Sequence, residues 1–229
     1  MFFMGTRDYK NFAPGCYYHI YNRGVDKMAI FKDEQDFNVF FNRLKENLFP
    51  NKKVSKLKNK VYRGKSHTPY IRKMLPPGSF SLITYCLMPN HFHILIKQNS
   101  DVSVSRLILK VCSSYSKYFN LKYNRVGSLF QDQFKSVLID SNEYLLWLSA
   151  YIHLNPRIAN LIKKDISWRW SSYVEYLSIN SEKICKNKII LDQLKDPSSY
   201  KKMVEDSFEN IQQKKHSELE LEYAEFESP

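Results

Sequence analysis

The chain has 229 residues, 43% of them hydrophobic, which suffices for one enlarged domain with a buried core. No run approaches the ~20 apolar residues of a membrane span, and residues 1–15 lack the apolar stretch and small-residue cleavage site of a secretory signal. A net charge of +12 with a pI near 9.4 points to a polyanionic partner, although a lysine-rich composition alone gives the same balance.

Residues 16–22, CYYHIYN, alternate and are rich in aromatics, which predicts a strand. Residues 33–47 begin with acids and carry Phe37, Phe40, Phe41 and Leu44 at helical spacing, which predicts an amphipathic helix. Residues 50–73 hold nine Lys/Arg and no Asp/Glu and show little periodicity. They read as a basic insertion, at about 50–76, that either embraces a phosphate backbone or is simply solvated. Residues 79–88 and 91–97 are strands joined by the tight turn Pro89-Asn90, an antiparallel hairpin. A long helix over 102–121, with Leu107, Leu109 and Val111 among its apolar residues, precedes a strand over 128–140. Ser141 caps a last helix, expected to end near Pro156 because the residue before proline disfavours helix.

The order strand, helix, strand, strand, helix, strand is the split βαβ pattern of ferredoxin-like α+β folds, here with one helix added. Aromatic residues in 166–178 are expected to pack back on the core. The main domain is expected over 1–179, followed by a polar extension, 180–229, that ends in an acidic tail with five Glu. Cys16, Cys86, Cys112 and Cys185 form no CxxC pair; the first three stand in apolar surroundings and read as buried thiols of a reducing cytoplasm.

Two clusters carry chemistry. In His91-Phe92-His93 the two imidazoles share one strand face, about 6–7 Å apart, and can ligate one ion. With no cysteine pair nearby, such a seat suits a catalytic ion with open positions better than a closed structural zinc. The pair alone is also compatible with two incidental histidines. In Tyr151-Ile152-His153-Leu154-Asn155-Pro156, Tyr151 and Asn155 share a helix face. A phenol there can reach a phosphate and the amide oxygen of Asn155 can bind a hard divalent ion; a packing tyrosine and a helix-capping asparagine explain the same residues.

The segments CYYHIYNRG, YCLMPNHFHILI, GSLFQDQFKSVLI, YIHLNPRIA and WRWSSYVEYL, in this order, closely resemble the single-tyrosine HUH transposases, in particular the REP-associated tyrosine transposases. The resemblance spans residues 16–178. It implies a ferredoxin-like, RRM-like core with the metal-binding pair His91 and His93 on a central strand and the nucleophile Tyr151 on the following helix. It also implies Asn155 as third ligand, where related insertion-sequence transposases carry Gln. The implied cofactor is a divalent ion, Mg2+ or Mn2+. The implied partner is single-stranded or hairpin DNA, with no membrane, in a cytoplasmic, nucleoid-associated setting, and the chain as a monomer or homodimer. Arg23, Lys135 and Arg157 then stand where they can hold phosphates, and Gln131 and Gln133 where they can read base edges; each also reads as an ordinary surface residue. His19 reads as structural. Three rivals remain at this point: an inactive nucleic-acid-binding module, a replication initiator or relaxase of the same chemistry, and a metal-dependent phosphodiesterase that uses water.

Overall fold

Backbone pairing follows the alternating pattern of the sequence. The computed structural model describes residues 11–50, 74–164, 167–177, 183–194 and 196–214. Four strands form one antiparallel sheet: β1 (Tyr17–Arg23), β2 (Phe80–Met88), β3 (His91–Gln98) and β4 (Lys135–Ile139), in the order β2-β3-β1-β4. Helix α1 (Glu34–Leu48) lies between β1 and β2 in sequence, and α2 (Val104–Lys122) between β3 and β4. This is the ferredoxin-like arrangement expected from the element order. Helix α3 (Asn142–Ile158) follows β4, and the short helices α4 (Tyr173–Leu177), α5 (Lys188–Leu191) and α6 (Pro197–Asp206) complete the described chain. None of the described helices is long and apolar enough to cross a membrane. The stretch 51–73 and the acidic tail lie outside the described residues.

The sheet separates two cores. Tyr18 and Ile20 of β1 and Phe92, Ile94 and Ile96 of β3 face α1 and α2, which bury Phe37, Phe40, Leu44, Leu107, Ile108, Val111, Tyr115 and Phe119 against them. Burying each such side chain stabilises the fold by about 1.5–3 kcal/mol. Leu109, apolar in the same helix, is 66% exposed, because the helical period carries it to the solvent side. On the other face Leu95, Ile83, Cys86 and Met88 pack with Leu145, Leu148 and Ile152 of α3. Phase thus puts the odd-numbered residues of β1 and β3, including His19, Tyr21, His91 and His93, on the side where α3 lies.

Two boundaries differ from expectation. Helix α3 runs through Pro156 to Ile158 instead of stopping before it. The Asn155 side chain donates through Nδ2 to the Tyr151 carbonyl at 2.8 Å, and beyond the proline the Ala159 amide bonds the Asn155 carbonyl. Asn160, at φ 54°, then ends the helix in the left-handed conformation that asparagine tolerates. Strand β4 begins at Lys135, because in the preceding residues ladder pairing gives way to single contacts: Gly24 bridges Phe130, and the Asn22 side chain takes the Asp132 carbonyl.

The aromatic stretch after α3 packs back as expected. Trp168 donates through its indole to the Leu87 carbonyl, the Leu87 amide bonds the Trp170 carbonyl, and Ser171 bridges Cys86, so this segment covers the outer edge of β2. Beyond it, Ile190, Tyr200, Val204 and Ile211 are buried in the same core as α3. All four cysteines are free; Cys86 and Cys185 are buried, whereas Cys16 and Cys112 are partly exposed.

Candidate active site

The turn between β2 and β3 is held from three sides. The Pro89 carbonyl accepts from the Ile30 and Phe31 amides, the Asn90 carbonyl accepts from the Gly24 amide, and Asn90 Nδ2 donates to the Lys27 carbonyl. This fixes the start of β3, where His91 is partly buried and His93 is 6% exposed. Their rings meet edge to face with centroids 5.0 Å apart.

Across the pair stands α3. The ring of Tyr151 lies edge-on to His93 at 5.6 Å between centroids and to His19 at 6.4 Å. Trp147, one turn earlier, stacks on Tyr151 at 5.4 Å and 15°, and Tyr144 stacks on Trp147 at 6.0 Å. The ladder fixes the azimuth of the phenol and leaves Tyr144 on the far side of the indole. Tyr115 and Tyr118 are on the opposite sheet face: Tyr115 donates to the Ile30 carbonyl and Tyr118 to Asp36. Asn155 is fully buried, and its amide nitrogen is the atom that bonds the Tyr151 carbonyl.

Two residues at the site escaped the sequence reading. His19 places Nε2 2.9 Å from His93 Nδ1, with the rings stacked at 5.1 Å. Burial pushes its pKa down to about 3, so it is neutral at ordinary pH. Tyr21, in register with His93, stacks on that ring at 5.8 Å and is a second phenol on the same face. The alternation of residues 16–22 already put Tyr17, His19 and Tyr21 on one face. What the sequence lacked was the pairing of β1 with β3, which decides whose ring they meet.

The residues expected to contact DNA separate into two groups. Arg23 is in register with His91 and donates to Gln131 Oε1 at 2.5 Å, so these two side chains meet beside the histidine turn. Lys135 is exposed, in register with Tyr21, with its ammonium 5.9 Å from that ring. Gln133 is exposed on the loop before β4. Arg157, in contrast, is held at the other end of α3: it donates to Glu205 at 2.7 Å and its guanidinium lies 3.6 Å over the Phe208 ring.

Among the described residues no three His, Cys, Asp or Glu side chains converge as a metal cluster. Two imidazoles on one strand face suit a catalytic ion with open coordination better than a closed structural site.

Residues 48–155 match the family model described as IS200-like transposase, a span that includes His91, His93, Tyr151 and Asn155. Similar in fold is a solved structure described as a REP-associated tyrosine transposase bound to a REP hairpin, with a TM-score of 0.52 at 13% identity, covering 76% of this chain and 87% of that one. No curated protein matches the chain. The span matched by the family model and the convergence of histidines and tyrosine fall on the same residues.

Proposed function

We propose that the protein is an IS200-like transposase that cuts and rejoins single-stranded DNA through a covalent 5′-phosphotyrosine on Tyr151. The observation that carries the reading is the approach of Tyr151 to His93 of its own chain, at 5.6 Å between ring centroids. A divalent ion, Mg2+ or Mn2+, held by His91 and His93 with the Asn155 amide oxygen as third ligand, would supply Lewis-acid neutralisation of phosphate charge. The phenol oxygen of Tyr151 forms a bond to phosphorus as the bond to the 3′-oxygen breaks. The phenol loses its proton, and the departing 3′-oxygen takes one up as a free 3′-hydroxyl. The energy of the ester is kept in the protein–DNA link, so a second 3′-hydroxyl can attack it, reseal the strand and release Tyr151.

Arg23, Gln131 and Lys135 line the exposed side of the histidine turn and are proposed to hold the strand there, Arg23 and Lys135 by phosphates and Gln131 by a base edge. Gln133 is proposed as a second base contact. Arg157, tied to Glu205, is proposed to reach a phosphate only by giving up that ion pair. The hairpin bound by the structurally similar protein supports hairpin DNA as the substrate form. Ring contacts between Tyr151 and His93 of one chain support a site complete within a monomer.

The test is incubation of the full chain with single-stranded hairpin oligonucleotides and Mn2+ or Mg2+, followed by a denaturing gel. A shortened strand and a slow-migrating protein–DNA species are expected. His91→Ala and His93→Ala should each remove both products while circular dichroism stays unchanged. Undiminished cleavage by the double variant would remove the metal assignment. Cleavage with no covalent species would favour a phosphodiesterase that uses water, and DNA binding without cleavage an inactive binding module.

A further inference from the structure

The two histidines of the proposed metal seat are each engaged through the same ring nitrogen. His91 Nδ1 lies 2.6 Å from Asn90 Oδ1, and His93 Nδ1 lies 2.9 Å from His19 Nε2. An amide oxygen only accepts, so Nδ1 of His91 carries the hydrogen and Nε2 carries the lone pair. The same logic can be carried to His93, whose partner is a histidine able to accept or donate. His19 is buried, 6% exposed, and held against Tyr21 at 4.8 Å and His93 at 5.1 Å. It lies on the neighbouring central strand, one register step from His93, since Tyr21 is opposite His93 and His19 opposite Leu95.

Resting on the metal reading above, we propose that His19 is a positioning residue that accepts a hydrogen bond from His93 Nδ1 and thereby holds His93 in the tautomer whose Nε2 can bind a metal ion. A neutral imidazole has one N–H; if it sat on Nε2, that nitrogen could not ligate. His19 thus does for His93 what Asn90 does for His91. A ligating histidine generally owes its tautomer and ring orientation to the partner of its other nitrogen, and losing such a partner costs about 10- to 100-fold in metal affinity.

The experiment compares wild type, His19→Phe, His19→Gln and His91→Ala as full chains. Phe keeps a ring of similar size and removes the acceptor. Gln places an amide oxygen near the position of Nε2. Two readouts apply: Mn2+ affinity by electron paramagnetic resonance titration, and the protonated nitrogen of His93 by long-range 1H–15N correlation in the metal-free protein. Expected are a loss of about 10- to 100-fold in Mn2+ affinity for His19→Phe, a loss of only a few-fold for His19→Gln, and a proton on Nδ1 of wild-type His93 that becomes shared between both nitrogens in His19→Phe. If His19→Phe binds Mn2+ like wild type while His91→Ala does not, the positioning role is overturned and the metal reading stands. If wild-type His93 carries its proton on Nε2, the role is likewise overturned. If His91→Ala binds Mn2+ like wild type, the metal reading itself fails and this proposal falls with it.

Discussion

Gly24 shows how much one absent atom decides. A Cβ there would lie 2.3 Å from the Met28 carbonyl oxygen and 2.9 Å from the Ile30 side chain, so the loop after β1 closes over this position only without one. The same residue donates its amide to the Asn90 carbonyl at 2.9 Å, one residue before His91. Gly24→Ala should therefore destabilise the fold by about 1–3 kcal/mol, the usual cost of overpacking, and lower cleavage more than DNA binding by shifting the histidine turn. Urea unfolding together with a cleavage time course checks both; a variant of wild-type stability would show that the loop opens at no cost. The shared strand face of His91 and His93 was legible from their spacing, whereas Tyr151 was singled out by the resemblance to the single-tyrosine HUH transposases and not by any local pattern. His19 and Tyr21 were not, since alternation assigns a shared face but not the ring that lies opposite. Arg157 read as a phosphate contact or an ordinary surface residue; its partner Glu205 is 48 residues away in the chain, beyond any local pattern.

Helices α1 and α2 are joined by a buried acid. Asp36 accepts from Lys122 at 2.8 Å, Tyr118 at 2.9 Å, Tyr123 at 2.8 Å and the Lys32 amide at 2.9 Å. Burial alone would raise its pKa, but Lys122, the Lys32 amide and the two phenols outweigh that and hold it below the usual carboxylate value. A carboxyl with a depressed folded pKa stabilises above its unfolded value, ~3.9, and that contribution is lost as pH falls through the folded pKa. Asp36→Asn should cost about 2–4 kcal/mol at pH 7, and its gap from wild type should narrow below about pH 4. Urea titrations at pH 7 and pH 3.5 test this, and a gap that widens in acid would contradict it. The helices themselves were legible because Phe37, Phe40, Leu44 and Leu48 recur at helical spacing and are buried. Their ends were less so. Helix α3, expected to stop before Pro156, instead continues past it to Ile158, where the Ala159 amide closes on the Asn155 carbonyl. Strand β4 was read too long because residues 128–134 alternate without entering the ladder.

At the scale of the whole molecule, the sheet packs a core on each face, and α3 carries Tyr151, the proposed nucleophile, across the second. That helix is braced from behind. His153 bonds Tyr200 at 2.7 Å and Ser172 at 2.8 Å, Arg157 bonds Glu205, and the Lys214 ammonium lies 5.2 Å from the ring of Trp147, which itself stacks on Tyr151. The division between domain and extension was drawn from polarity in the sequence, and polarity concealed the few apolar residues, Ile190, Tyr200, Val204 and Ile211, that join the two. The central claim is that Tyr151 makes the covalent bond. Its most direct measurement is peptide mapping of the protein–DNA adduct trapped on a hairpin oligonucleotide, run in parallel on wild type and Tyr151→Phe, which keeps the ring that packs on Trp147 and His93. The adduct should map to the peptide holding Tyr151 in the wild type and be absent from Tyr151→Phe, with DNA and Mn2+ affinity within a few-fold of wild type. An adduct on Tyr21 or Tyr144, or one that persists in Tyr151→Phe, would contradict the account.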